Sequence, residues 1–70
     1  MKENIFGLKL KELRVEQELS QRKLGNILGV CNQTVSSWEN GSREPDLDTL
    51  RTISQYFEVS VDFLLGLKDY

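Results

Sequence analysis

Histidine is absent from the 70 residues, and cysteine and proline occur once each, at Cys31 and Pro45. A single thiol cannot close an internal disulfide. Without histidine, the usual metal-ligand sets and nucleophile–base arrangements lack their parts. No cofactor or metal site is expected, and the chain is expected not to be an enzyme, because one Cys and no His cannot supply a nucleophile with its base. No run approaches the roughly 18 apolar residues of a membrane span. The start, MKENIFGLKLKEL, is charged throughout and is not a secretory signal, so a soluble, cytoplasmic protein is expected. No proline-rich, glycine-rich or repeated stretch marks a linker. At this length one hydrophobic core is all the chain supports, so residues 1–70 are expected to form a single domain.

Excess positive charge is also missing overall, since the formal net charge is −2, which argues against a protein that coats DNA through bulk charge. The charge is unevenly placed. Residues 1–19 balance four cations against four anions, and residues 44–70 carry two cations against six anions. Residues 20–43 carry Arg22, Lys23 and Arg43 against Glu39, the only segment with positive excess. A solvated mixed-charge surface explains such a gradient as readily as a nucleic-acid partner does.

What is present is helical periodicity. Phe6, Leu10, Leu13 and Gln17 fall on one face of a helix from about Asn4 to Gln17. Ser20 caps a second helix, with Leu24, Ile27 and Leu28 on one face and Gly29 at its end. A third, from Asn32 to Glu39, buries Val35 and Trp38 and stops at Asn40-Gly41. Asp46 caps a fourth, whose buried stripe is expected to be Leu47, Leu50, Ile53, Ser54 and Phe57. Ser60 caps a short fifth, with Val61, Leu64 and Leu65 inside and Gly66 beyond its end. Strict alternation never lasts more than a few residues, so the chain reads as all-α.

Residues 21–40, QRKLGNILGVCNQTVSSWEN, have the spacing of two short helices crossing at roughly 90 to 120° through a tight turn. Gly25 is small where the helices must approach, and Gly29 supplies the positive φ of the turn. A plain αα-hairpin asks for much of the same pattern. The outward face tips the balance. Asn32, Gln33, Ser36 and Ser37 are poorer helix formers than the Lys, Glu and Ala of a merely solvated face. Asn and Gln match adenine in the major groove, and Ser is permissive there. Trp38, three residues after Val35, reads as core and not as a stacking platform for single-stranded bases.

With LSQ at 19–21, GV at 29–30, QTVSSWENG at 33–41, PDLDTL at 45–50 and VSVDFLLG at 59–66, the chain from about Phe6 to Gly66 resembles the phage repressor and Cro helix-turn-helix family, the XRE regulators. The resemblance implies a five-helix, lambda-repressor-like DNA-binding domain. Its helix three would lie in the major groove, and it would bind as a homodimer to a pseudo-palindromic operator with half-sites about one DNA turn, roughly 34 Å, apart. It implies a transcriptional regulator, most simply a repressor.

By the same resemblance Asn32, Gln33, Ser36 and Ser37 face bases, with Cys31 at the edge of the set. Gln21 would bond a phosphate and brace Gln33. Thr34, the Asn40 backbone amide and Arg43 would hold further phosphates, with Lys23 as an additional contact and Arg22 a neighbouring cation. Arg14 and Glu39 would form a structural ion pair. The alternative is a protein-interaction module of the same fold, an antitoxin or immunity component whose partner is another protein.

The chain departs from the family pattern at four places. Glu18 and Glu58 stand where glycine is common after helices one and four, each costing about 1 kcal/mol if φ is positive. Gly25 replaces the usual alanine. Cys31 stands where Ser, Thr or Asp usually caps helix three, either as a small half-buried residue or as a thiol activated by the helix terminus. Phe63, Leu65, Leu67 and Tyr70 are either a dimer contact or a tail packed on helix five.

Overall fold

The computed structural model describes residues 4–69. Five helices follow one another: α1 (Ile5–Glu16), α2 (Gln21–Leu28), α3 (Asn32–Asn40), α4 (Leu47–Phe57) and α5 (Val61–Leu64). No strand occurs among the described residues, and none of these helices is long and apolar enough to cross a membrane.

Local chemistry explains where the helices start. The side chains of Asn4, Ser20, Asp46 and Ser60 accept from the backbone N–H of Gly7, Lys23, Thr49 and Phe63, each satisfying a donor that the first turn leaves open. Cys31 makes no such bond at the start of α3.

All five helices end alike. A residue in the left-handed region follows each: Glu18, Gly29, Gly41, Glu58 and Gly66, with φ between 56° and 85°. The next N–H then reaches back five residues, as in Leu19 to Arg14 (3.0 Å), Val30 to Gly25 (2.8 Å) and Val59 to Ser54 (3.1 Å). This reversal sends the residue after the left-handed one toward the helix it has just left. Leu19, Val30 and Val59 are packed against the core in this way.

Three of the five left-handed positions are glycine, but Glu18 (φ 57°) and Glu58 (φ 56°) are not. An L side chain there costs about 1 kcal/mol. Glu18→Gly and Glu58→Gly are each expected to raise unfolding free energy by about 0.5–1 kcal/mol, read from urea melts of Trp38 fluorescence.

Every helix contributes to one core: Leu10 from α1, Leu24 from α2, Val35 and Trp38 from α3, Ile53 and Phe57 from α4, and Leu64 from α5. Four expected core positions lie elsewhere. Leu47 is 83% exposed, because the first turn of α4 overhangs the edge of the core. Leu65 is 43% exposed, one residue past the end of α5 at Leu64. Ile27 sits at the rim beside buried Leu24, and Gln17 lies beyond the end of α1 in solvent.

Asp46 gives the fold an acid-sensitive element. Hydrogen bonding by Thr49, through its side chain and then its backbone N–H, holds the Asp46 carboxyl below its ordinary 3.8. A depressed folded-state value contributes stability above the unfolded pKa and loses it as pH falls through the folded one. Asp46→Asn keeps a capping oxygen but cannot titrate. Its urea midpoint is therefore expected to fall less steeply than that of the parent chain from about pH 4 downward.

Candidate nucleic-acid interface

The link between α2 and α3 is three residues, Gly29 to Cys31. Gly29, at φ 77°, reverses the chain, and Val30 N–H closes the turn on Gly25 O at 2.8 Å. A Cβ at Gly25 would lie 2.6 Å from Val30 O, so the turn backbone passes closer to α2 than an alanine there allows without a shift. The need for a small residue is thus stricter here than where alanine serves.

Behind the pair lies a polar clasp centred on Glu39. Its Oε2 accepts from Arg14 Nε at 2.7 Å, and its Oε1 from Arg14 Nη2 at 3.0 Å and Gln21 Nε2 at 3.1 Å. Arg14 Nη1 donates to Leu19 O at 2.8 Å. One carboxylate therefore joins α1, the first residue of α2 and the last turn of α3. Side-chain exposures are 12% for Arg14 and 6% for Glu39, so the pair is largely shielded from water. Hydrogen bonding to Glu39 raises the Arg14 pKa against the opposing effect of burial. Gln21 spends its amide on Glu39, a charged acceptor that binds more strongly than a neutral amide.

Asn4 supplies a second link that sequence reasoning passed over. Its Oδ1 caps α1 while its Nδ2 donates to Glu39 O at 2.8 Å and Trp38 O at 3.4 Å, satisfying carbonyls at the end of α3. Gly7, one turn on, is buried where a Cβ would lie 2.6 Å from Trp38 O. Asn is a familiar N-cap. That its other end reaches a helix some 35 residues away has no local signal.

So held, α3 turns Val35 and Trp38 inward. Gln33, Ser36, Ser37 and Asn40, at steps of three, one and three, share the outward side, with Asn32 one turn before Ser36. Asn32, Gln33 and Asn40 are exposed, and Ser36, Ser37 and Thr34 are half-buried. Asn40 is the last residue of α3, and its Oδ1 accepts from Ser42 N–H at 2.9 Å. Cys31 Sγ lies 3.2 Å from Thr34 Oγ1, and this contact holds the thiol below its ordinary pKa.

Arg22, Lys23 and Arg43 are exposed and have no ion-pair partner among the described residues. Glu39, the one acid of residues 20–43, faces Arg14. The outward surface of the segment therefore presents positive charge beside neutral hydrogen-bonding groups.

A helix-turn-helix family model matches residues 10–64. The chain belongs to the helix-turn-helix family. Within it the likeness is to regulators of the phage repressor and Cro type. It is 41% identical over 61 residues to the SPbeta prophage-derived uncharacterized HTH-type transcriptional regulator YonR of Bacillus subtilis, covering 87% of this chain and 56% of that protein. It is 38% identical to the HTH-type transcriptional activator BcrR of Enterococcus faecalis, covering 87% of this chain and 30% of that one. The chain thus spans about half, or less, of these relatives. The crystal structure of the P22 c2 repressor in complex with a synthetic operator superposes with a TM-score of 0.84 at 30% identity, covering 91% of this chain and 97% of that one. The helix-turn-helix unit, formed by α2 and α3, and the all-α five-helix fold are those read from the sequence.

Proposed function

We propose that the chain is a sequence-specific reader of double-stranded DNA that places α3 in the major groove and acts as a transcriptional regulator, most simply a repressor. The observation that carries this is the outward side of α3. A short helix is held rigidly from behind by Glu39 and Asn4, and in front offers Asn32, Gln33, Ser36 and Ser37 with no charge among them. Neutral amides and hydroxyls give little affinity for bulk polyanions, but they discriminate base edges. The structural likeness to a repressor bound to its operator supports the same docking.

Phosphates would be held around this edge by Lys23, Thr34 and Arg43, by Gln21 at the start of α2, and by Asn40. The Asn40 backbone N–H points back along α3, so the donor offered would be its side-chain Nδ2. Arg43→Ala is expected to weaken operator and random duplex alike and to reduce the slope of log K against log salt by about one unit, measured by fluorescence anisotropy across a salt series. An unchanged slope would remove Arg43 from the phosphate contacts.

Binding would be as a homodimer on a pseudo-palindromic site. The dimer contact would draw on Leu47, Leu65 and Leu67, of which Leu67 is 72% exposed. Phe63 is half-buried beneath Lys9, whose Nζ lies 4.8 Å from the ring centroid, and is less available. Tyr70 lies outside the described residues.

A further inference from the structure

The outer side of α1 carries an apolar pair that the fold leaves uncovered. Leu8 is 60% exposed and Val15 is 56% exposed, and the shallow groove around them is lined only by α1 residues, with Lys11, Glu12 and Glu16 as the others. The buried residues of this helix, Gly7 and Leu10, lie on its other side. The remaining cations of α1 are engaged elsewhere, Lys9 over Phe63 and Arg14 on Glu39. Lys11 and Glu12 form no ion pair among the described residues.

The placement of these two charges says what fits the groove. At about 100° per residue, Leu8 and Val15 lie nearly in line, seven residues apart, as successive positions of a heptad seam do. Lys11 falls about 50° to one side of that line and Glu12 about 50° to the other, at nearly the same height. A two-fold axis parallel to the helix sets each Lys11 against the partner's Glu12, twice, and stacks Leu8 on Leu8 and Val15 on Val15. An antiparallel pairing sets lysine against lysine and glutamate against glutamate. The face is therefore complementary to a second copy of itself in one orientation only.

We infer that the Leu8–Val15 face of α1 is a self-association surface, at which two copies pair their α1 helices in parallel with reciprocal Lys11–Glu12 ion pairs. It uses none of Leu47, Leu65 or Leu67. Four apolar side chains fall well short of the roughly 1,200–2,000 Å² of a stable interface, so the contact is weak between free chains. It becomes effective where copies are held near one another, as on adjacent sites of one duplex, where effective concentrations reach about millimolar. That consequence rests on the DNA-reading proposal, whereas the contact itself does not.

The test uses the whole chain without DNA, so a failure of DNA binding leaves its outcome unaffected. In a Cys31→Ser background, Leu8→Cys and Val15→Cys variants are equilibrated in a glutathione redox buffer at high protein concentration, with Thr52→Cys as an exposed control. Trp38 fluorescence confirms folding throughout. Leu8→Cys is expected to form disulfide dimer several-fold above the control, because parallel pairing brings like positions within disulfide reach. An equal mixture of Leu8→Cys and Val15→Cys is expected to give mainly like–like dimers. Adding Lys11→Glu to Leu8→Cys should cut the dimer about tenfold, and adding Glu12→Lys to that variant should restore it. Mixed dimers in excess, yields no higher than the control, or yields indifferent to the charge exchange would each overturn the proposal.

Discussion

Glu39→Ala is expected to lower unfolding free energy by about 2–4 kcal/mol, a large share of the about 5–10 kcal/mol available to a domain of this size. The change removes the acceptor of three hydrogen bonds at once, two from Arg14 and one from Gln21. It also leaves the Arg14 guanidinium, 12% exposed, with only the Leu19 carbonyl. Stranding a shielded charge costs more than losing an exposed pair, which is worth about 0–1 kcal/mol. Full burial would place the loss at the upper end, and the residual exposure of Arg14 moves it down. Urea melts of Glu39→Ala, Arg14→Ala and the double variant measure this directly. The double variant should lose clearly less than the sum of the singles, because removing the second partner relieves the stranded first. A loss below about 1 kcal/mol for Glu39→Ala would mean that the carboxylate clasp adds little, and that apolar packing and the Asn4 bonds to the end of α3 join these helices.

The second large effect falls on recognition and not on stability. Gln33→Ala is expected to weaken operator binding by about 1–3 kcal/mol, roughly tenfold to a hundredfold, while leaving affinity for random duplex nearly unchanged. Gln33 is exposed in the first turn of α3, opposite the side that buries Val35 and Trp38, so truncation costs the fold little. An amide carries no net charge and adds nothing to counterion release, so its contribution appears only where it meets the right base edge. Anisotropy titrations on operator and random duplex separate the two cases. Equal losses on both would make Gln33 a backbone contact and return the reading function to Asn32, Ser36 and Ser37.

Much of this architecture is legible in the sequence, for a physical reason that also marks where legibility stops. Caps at Ser20, Asp46 and Ser60 and the turn glycine Gly29 act within four residues, so local pattern reveals them. Periodicity likewise places Leu10, Leu24, Val35, Trp38, Ile53, Phe57 and Leu64 inward. It fails at Leu47, the first residue of α4, and at Leu65, one residue past the end of α5, where the apolar spacing runs on beyond the core. A pattern tells which side of a helix is apolar, not how far the neighbouring helix extends.

Polar contacts between distant segments are harder still. The reach of Asn4 to the end of α3 and the bond from Gln21 to Glu39 depend on three-dimensional placement alone. The resemblance implies that Gln21 braces Gln33, whereas in the structure its amide Nε2 donates to the Glu39 carboxylate. The Arg14–Glu39 pair is implied by the resemblance and has no local signal in the sequence. The proposed role of the outward side of α3 rests in the sequence on a composition at odds with helix propensity, a local conflict of the kind that functional sites carry.

Whether α3 reads base sequence is decided by selection from a random duplex library with the purified chain, followed by sequencing of the bound fragments. If α3 reads sequence, a two-fold-symmetric, adenine-containing motif is enriched, with half-site centres about one turn, roughly 34 Å, apart. Failure of any motif to emerge at low salt, where electrostatic binding is strongest, would contradict it.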